Sequence, residues 1–143
     1  MKLKPILTGL LLSTVAVPDP ILTPGAIKST DLQEICAPGY DKAHRVWRNQ
    51  KQTFAKYNIP WSQHLNYEDD DFYQICIGGD NANPLNHWPQ PKIESFKKNR
   101  LEIHICHMAC NYYQETGDRD ATQFQNMMKD WATTYKIIFN EEP

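Results

Sequence analysis

The chain has 143 residues, with 15 Lys and Arg against 17 Asp and Glu, a formal net charge of −2. That length is one domain with a modest core, and the acidic balance excludes a protein that grips polyanions by bulk charge. Any contact with phosphate needs a local patch or a bound cation.

Lys2 and Lys4 form a short basic start, Ile6 through Val17 an apolar run of about a dozen residues, and Pro18-Asp19-Pro20 breaks it. The run is too short to cross a bilayer and reads as a secretory signal peptide over residues 1–17, cleaved near Ala16, followed by one domain over 18–143. The mature protein is then secreted or periplasmic, with no stable membrane insertion. Losing Lys2 and Lys4 and no acid takes its net charge from −2 to −4.

Export matters for the cysteines. Cys36, Cys76, Cys106 and Cys110 are an even set in an oxidising compartment, so two disulfides are expected. Cys106 and Cys110 share a predicted helix and pair poorly with each other, so Cys36 takes one of them and Cys76 the other. A tetrahedral zinc shell of Cys76, Cys106, Cys110 and His107 is the alternative use of these residues.

In chain order, Asp41 caps a predicted helix to about Tyr57, with Val46, Trp47, Phe54 and Tyr57 as apolar contacts and Pro60 as its stop. Leu65 to Ile77 suits two short strands, and Gly78-Gly79 a turn. Asp80 to Pro91 lacks periodicity and reads as a structured loop. A second helix runs from near Ser95 to Gly117 through Leu101, Ile105, Met108 and Tyr112. A third follows Asp120-Ala121-Thr122-Gln123, with Phe124, Met127, Met128, Trp131 and Tyr135 on one face. Lys97, Lys98 and Arg100 form the clearest basic patch, a candidate phosphate contact.

Tyr67-Glu68-Asp69-Asp70-Asp71-Phe72, Gly78-Gly79-Asp80-Asn81 and Asn86-His87-Trp88-Pro89-Gln90-Pro91 are the most informative segments. They resemble the core of secreted bacterial HNH-endonuclease-like proteins, Tyr-Glu-x-Asp-His-x-x-Pro-Leu-Glu-Leu-Gly-Gly followed by Asn-Leu-Trp-Pro-Glu/Gln-Pro. Upstream, Thr30 and Ile35-Cys36-Ala37-Pro38-Gly39-Tyr40 with Arg45 fit the same pattern. Downstream, Lys98-Asn99-Arg100-Leu101-Glu102, Cys110 and Trp131 do so too.

The resemblance implies an α+β fold, a small ββα-metal finger embedded in a mainly helical single domain. It implies metal-dependent phosphodiester hydrolysis, with Mg²⁺ or Mn²⁺, and Ca²⁺ as an alternative, bound by Asp70, Asp71 and Asn99. Nucleic acid is the implied partner, and Asn86 the residue that orients the strand and the base. It also implies the Cys36–Cys110 bridge, which leaves Cys76 with Cys106.

The departures bear on activity. Asp71 stands where the family has its general-base histidine, and a carboxylate with an ordinary pKa near ~4 is a weak base at neutral pH. Asn99 replaces Asp, Cys76 replaces Glu, and Cys106 stands where many relatives carry His. Two polar site positions become cysteines, which suggests a disulfide across the former cleft. Catalysis is therefore expected to be lost or weakened. The alternatives are an active nuclease using Asp71 or His87, and a non-catalytic, disulfide-stabilised binding or structural protein.

Overall fold

A computed structural model describes residues 15–143, and the expected signal segment, apart from its last three residues, lies outside them. The architecture is mixed helix and sheet, with six α-helices, three short 3-10 helices and one two-stranded antiparallel sheet among the described residues.

Three short helices come first: α1 (Leu32–Ile35), α2 (Tyr40–His44) and α3 (Gln50–Lys56). Asp31 starts α1 by accepting the Gln33 amide at 2.9 Å. The single helix expected from Asp41 to Tyr57 is instead split between α2 and α3. Arg45 turns extended (φ −78°, ψ 120°), and the Val46 amide donates to Asn81 Oδ1 at 2.8 Å rather than to its own helix. A tertiary hydrogen bond thus outweighs local propensity. Val46 and Trp47, expected to supply apolar contacts, are exposed.

Strand β1 (Tyr67–Asp71) pairs antiparallel with β2 (His87–Pro91), in the register Asp71↔His87, Asp70↔Trp88 and Asp69↔Pro89. This corrects two expectations. Ile75–Ile77 is a 3-10 turn rather than a second strand, and the supposed loop before Pro91 holds the real partner strand. Pro89 and Pro91 are two residues apart, so their missing N–H groups fall on one edge of β2 and leave the other edge for pairing. Gly78 sits at φ +89°, and a Cβ on Gly79 would lie 1.7 Å from the Tyr73 carbonyl oxygen, so both positions require glycine.

Helix α4 (Lys92–Thr116) follows β2 directly and ends at Gly117 in the left-handed region (φ 71°). The expected third helix is two helices, α5 (Thr122–Lys129) and α6 (Trp131–Phe139). Asp130 breaks them and accepts the Thr133 amide to start α6. The core is formed by Leu101, Ile105 and Ala109 of α4 against Leu32, Ile35, Ile75, Ile77, Phe124, Met128, Trp131 and Tyr135.

Two disulfides clamp α4, Cys36–Cys110 and Cys76–Cys106, each with Cα atoms 5.6 Å apart. Both are the expected pairs. They consume every cysteine, which removes the thiolates that the zinc alternative needs. Two bridges fit an oxidising, extracytoplasmic setting. No helix among the described residues is long and apolar enough to cross a membrane.

Candidate functional site

The end of β1, the Gln74–Cys76 segment, the loop after α2 and the middle of α4 enclose a cavity of about 470 Å³. Asp69, Asp70, Asp71, Arg45, Arg48, Glu102, His107 and the Cys76–Cys106 pair line it. The motif residues of the hairpin and the helix therefore do meet. What they do there differs from a metal centre.

Successive strand residues face opposite sides, so neighbouring carboxylates on β1 go to different partners. Asp70 faces α4, where its Oδ2 lies 2.6 Å from Lys98 Nζ and accepts the Trp88 indole N–H at 3.1 Å. Asp71 faces the other way. Its Oδ1 takes Arg48 Nη1 at 2.5 Å, and its Oδ2 takes Asn81 Nδ2 at 3.0 Å. Arg48 also donates to the Asp69 carbonyl, and its Nε lies 3.6 Å from Asp69 Oδ2.

Lys98 is 1% exposed. Its ammonium is surrounded by oxygens: Asp70 Oδ2, Glu102 Oε1 and the Asp71 carbonyl at 3.0 Å. Burial opposes its charge, but Asp70 and Glu102 outweigh burial and hold the proton well above the ordinary lysine range. One ammonium cannot fully compensate two carboxylates. Burial pushes Glu102 up to about 7, with Lys98 pulling it down and Asp70 adding to the rise.

Burial likewise raises the Asp69 and Asp71 carboxyls, and Arg48 pulls back on both. Burial is also the main cause that lowers the His87 pKa, followed by the Arg48 charge, so the ring is neutral at neutral pH. His87 Nε2 lies 2.8 Å from the Asn81 carbonyl. A carbonyl only accepts, so Nε2 carries the hydrogen and Nδ1 the lone pair, with Asp71 Oδ1 3.7 Å from Nε2.

The implied cation does not fit these residues. Lys98 already occupies the oxygen-lined position beside Asp70, and Arg48 holds Asp71. Asn99, expected as a third ligand, is half-buried on α4 and does not line the cavity. No group of three or more His, Cys, Asp or Glu side chains among the described residues is placed to hold a metal ion. One member of the basic patch is corrected: Lys98 is sealed inside, whereas Arg100 pairs with Glu141 at 3.0 Å and Lys97 donates to the Glu142 carbonyl at 2.9 Å at the surface.

Asn86 does not reach the cavity. Fully buried, it accepts the Tyr73 amide (3.0 Å) and the Ala26 amide (3.2 Å) and donates to the Tyr73 carbonyl (2.8 Å). It thereby pins the chain just after Asp71 and is a positioning residue. His104 packs edge-on against Phe139, and His107 stays exposed at the cavity rim.

Arg48 and Asn81 hold Asp71 without being singled out as site residues by the sequence motifs. Arg48 carries no local signal, because it looks like one more charge on a helix face. Asn81 had one, its position directly behind the Gly78-Gly79-Asp80 turn. Comparison with protein-family models, with curated proteins and with solved structures finds no match to this chain.

Proposed function

We propose that the chain is a divergent secreted HNH-endonuclease-like protein that has given up hydrolysis and works as a disulfide-stabilised, extracytoplasmic binding domain. On this reading β1, β2 and α4 descend from a ββα-metal finger, with Asp70-Asp71 at the strand end and Asn86 behind it. The order strand, loop, strand, helix supports that descent, as does the placement of Asp70 and Asp71 beside Glu102 at one cavity.

The single observation that carries the loss of hydrolysis is the occupancy of the strand-end carboxylates. Asp70 is held by Lys98 and Asp71 by Arg48 and Asn81, so neither is free to ligate a cation or take a proton from water. The Cys76–Cys106 bridge stands in the same cavity wall, where the resemblance puts Glu and His. His87 offers no rescue at this cavity, since its ring does not line it.

The test incubates the mature protein with supercoiled plasmid, single-stranded DNA and RNA, each with Mg²⁺ or Mn²⁺. The expected result is no cleavage by wild type, and none by Asp71→His, because a histidine alone frees no ligands. Metal-dependent turnover by wild type that disappears in Asp70→Asn overturns the proposal.

A further inference from the structure

A second cavity, of about 410 Å³, lies beside the first and shares Arg48 with it. Its lining is Trp47, Arg48, Asn49, Gln50, Lys51 and Trp61. Trp47 is 97% exposed, so nothing in the fold packs on its indole. Trp61, 38% exposed, is held in place instead. It packs edge-on against the buried Phe54 at 5.5 Å and stacks on His64 with centroids 4.4 Å apart and an interplanar angle of 7°. His64 Nδ1 lies 2.7 Å from the Trp61 carbonyl oxygen, which fixes that stack.

The cavity is thus one oriented indole, one free indole and a set of donors. Lys51 Nζ sits 5.4 Å from the Trp61 ring centroid. Asn49, at the start of α3, makes no capping bond with its side chain. Arg48 is neutralised by Asp71, which leaves Lys51 as the available cation. No carboxylate lines the cavity, although the chain as a whole is acidic. Aromatic faces with a cation and amides, and no acid, suit a stackable ring that carries negative charge.

We infer that Trp47, Trp61 and Lys51 form a stacking site for an unpaired nucleotide of single-stranded nucleic acid, with Lys51 on the adjoining phosphate. A duplex hides its base faces and a neutral sugar has no use for the ammonium. The inference stands on this cavity and not on the HNH-like reading. Failure here leaves the argument about lost hydrolysis untouched, and the converse holds as well.

Trp88 and Trp131 are each 2% exposed, so quenching of tryptophan fluorescence reports on Trp47 and Trp61. The full protein is titrated with a short oligothymidylate at low salt in EDTA. Wild type is expected to show saturable quenching. Trp47→Ala weakens binding roughly ten-fold, as loss of one base stack does, while Trp47→Tyr retains it. Lys51→Gln weakens it and lowers the salt dependence by about one phosphate contact.

Because Trp47 touches so little of the protein, its alanine variant folds as wild type does, which near-UV circular dichroism checks. Absent quenching, binding indifferent to Trp47→Ala, or equal quenching by duplex DNA or a neutral chito-oligosaccharide overturns the inference.

Discussion

At Lys98 the protein keeps an ammonium in its interior, with Asp70 and Glu102 as counter-charges. Removing one partner from such a cluster leaves uncompensated charge, which costs about 3–5 kcal/mol. Lys98→Met should therefore lower stability by roughly that amount, read from urea unfolding. Adding Glu102→Gln and Asp70→Asn to the same variant should return most of the loss, since the interior is then neutral. A Lys98→Met protein as stable as wild type would show that the cluster contributes nothing. Asn81 and Asn86 act at the same scale: each ties side-chain amide groups to a neighbouring segment and fixes where Asp71 stands.

Among elements, α4 organises the molecule. It follows β2 without a loop, carries Glu102 into the cavity wall with Lys98 buried beside it, and receives both disulfides. The Cys36–Cys110 link spans 74 residues and the Cys76–Cys106 link 30. Loop-closure entropy assigns each about 4 kcal/mol, a little more for the longer. Replacing Cys36 and Cys110 by Ser should thus lower stability more than replacing Cys76 and Cys106, with both double variants clearly below wild type. Peptide mapping without reductant checks the pairing, and equal stability of all three proteins would contradict the ranking. The second bridge has another consequence, because it holds the Gln74–Cys76 segment against α4 across the cavity.

For the molecule as a whole, the cavity sets the pH response. Glu102 rises from its ordinary 4.5 to about 7, chiefly through burial, and Asp69 and Asp71 rise for the same reason. A raised carboxyl binds protons more tightly in the folded state. Its contribution is complete below the unfolded value and is lost as pH climbs through the folded one. Stability should accordingly fall between pH about 4.5 and about 7, by on the order of 2 kcal/mol from Glu102. Glu102→Gln should flatten that slope. Asp31, Asp118 and Asp120 are lowered and have the opposite sign, losing their contribution as pH falls through their folded values. The maximum then lies on the acid side of neutrality, which thermal unfolding across pH measures. A maximum above pH about 7 would contradict the assignment of Glu102.

Much of this molecule is legible in one dimension. Helix α4 shows in its apolar spacing and its Gly117 stop, the glycine pair in its turn, and the disulfides in an even cysteine count. These are local or chemical rules that need no partner segment. The strand β2 was hidden, because two prolines and no alternation make His87–Pro91 look like loop, and only its pairing with β1 makes it a strand. The break between α2 and α3 was hidden too, since the Asn81 side chain that captures the Val46 amide is 35 residues away. The sequence alone placed Asp70, Asp71 and the Cys76–Cys106 pair near one another, while Asn86 and Asn99, expected beside them, do not line the cavity. Only the tertiary structure decided what the carboxylates do there. It brings Arg48 to Asp71 and buries Lys98 beside Asp70, and a cation from a distant segment changes a carboxylate's role in a way that no local pattern records.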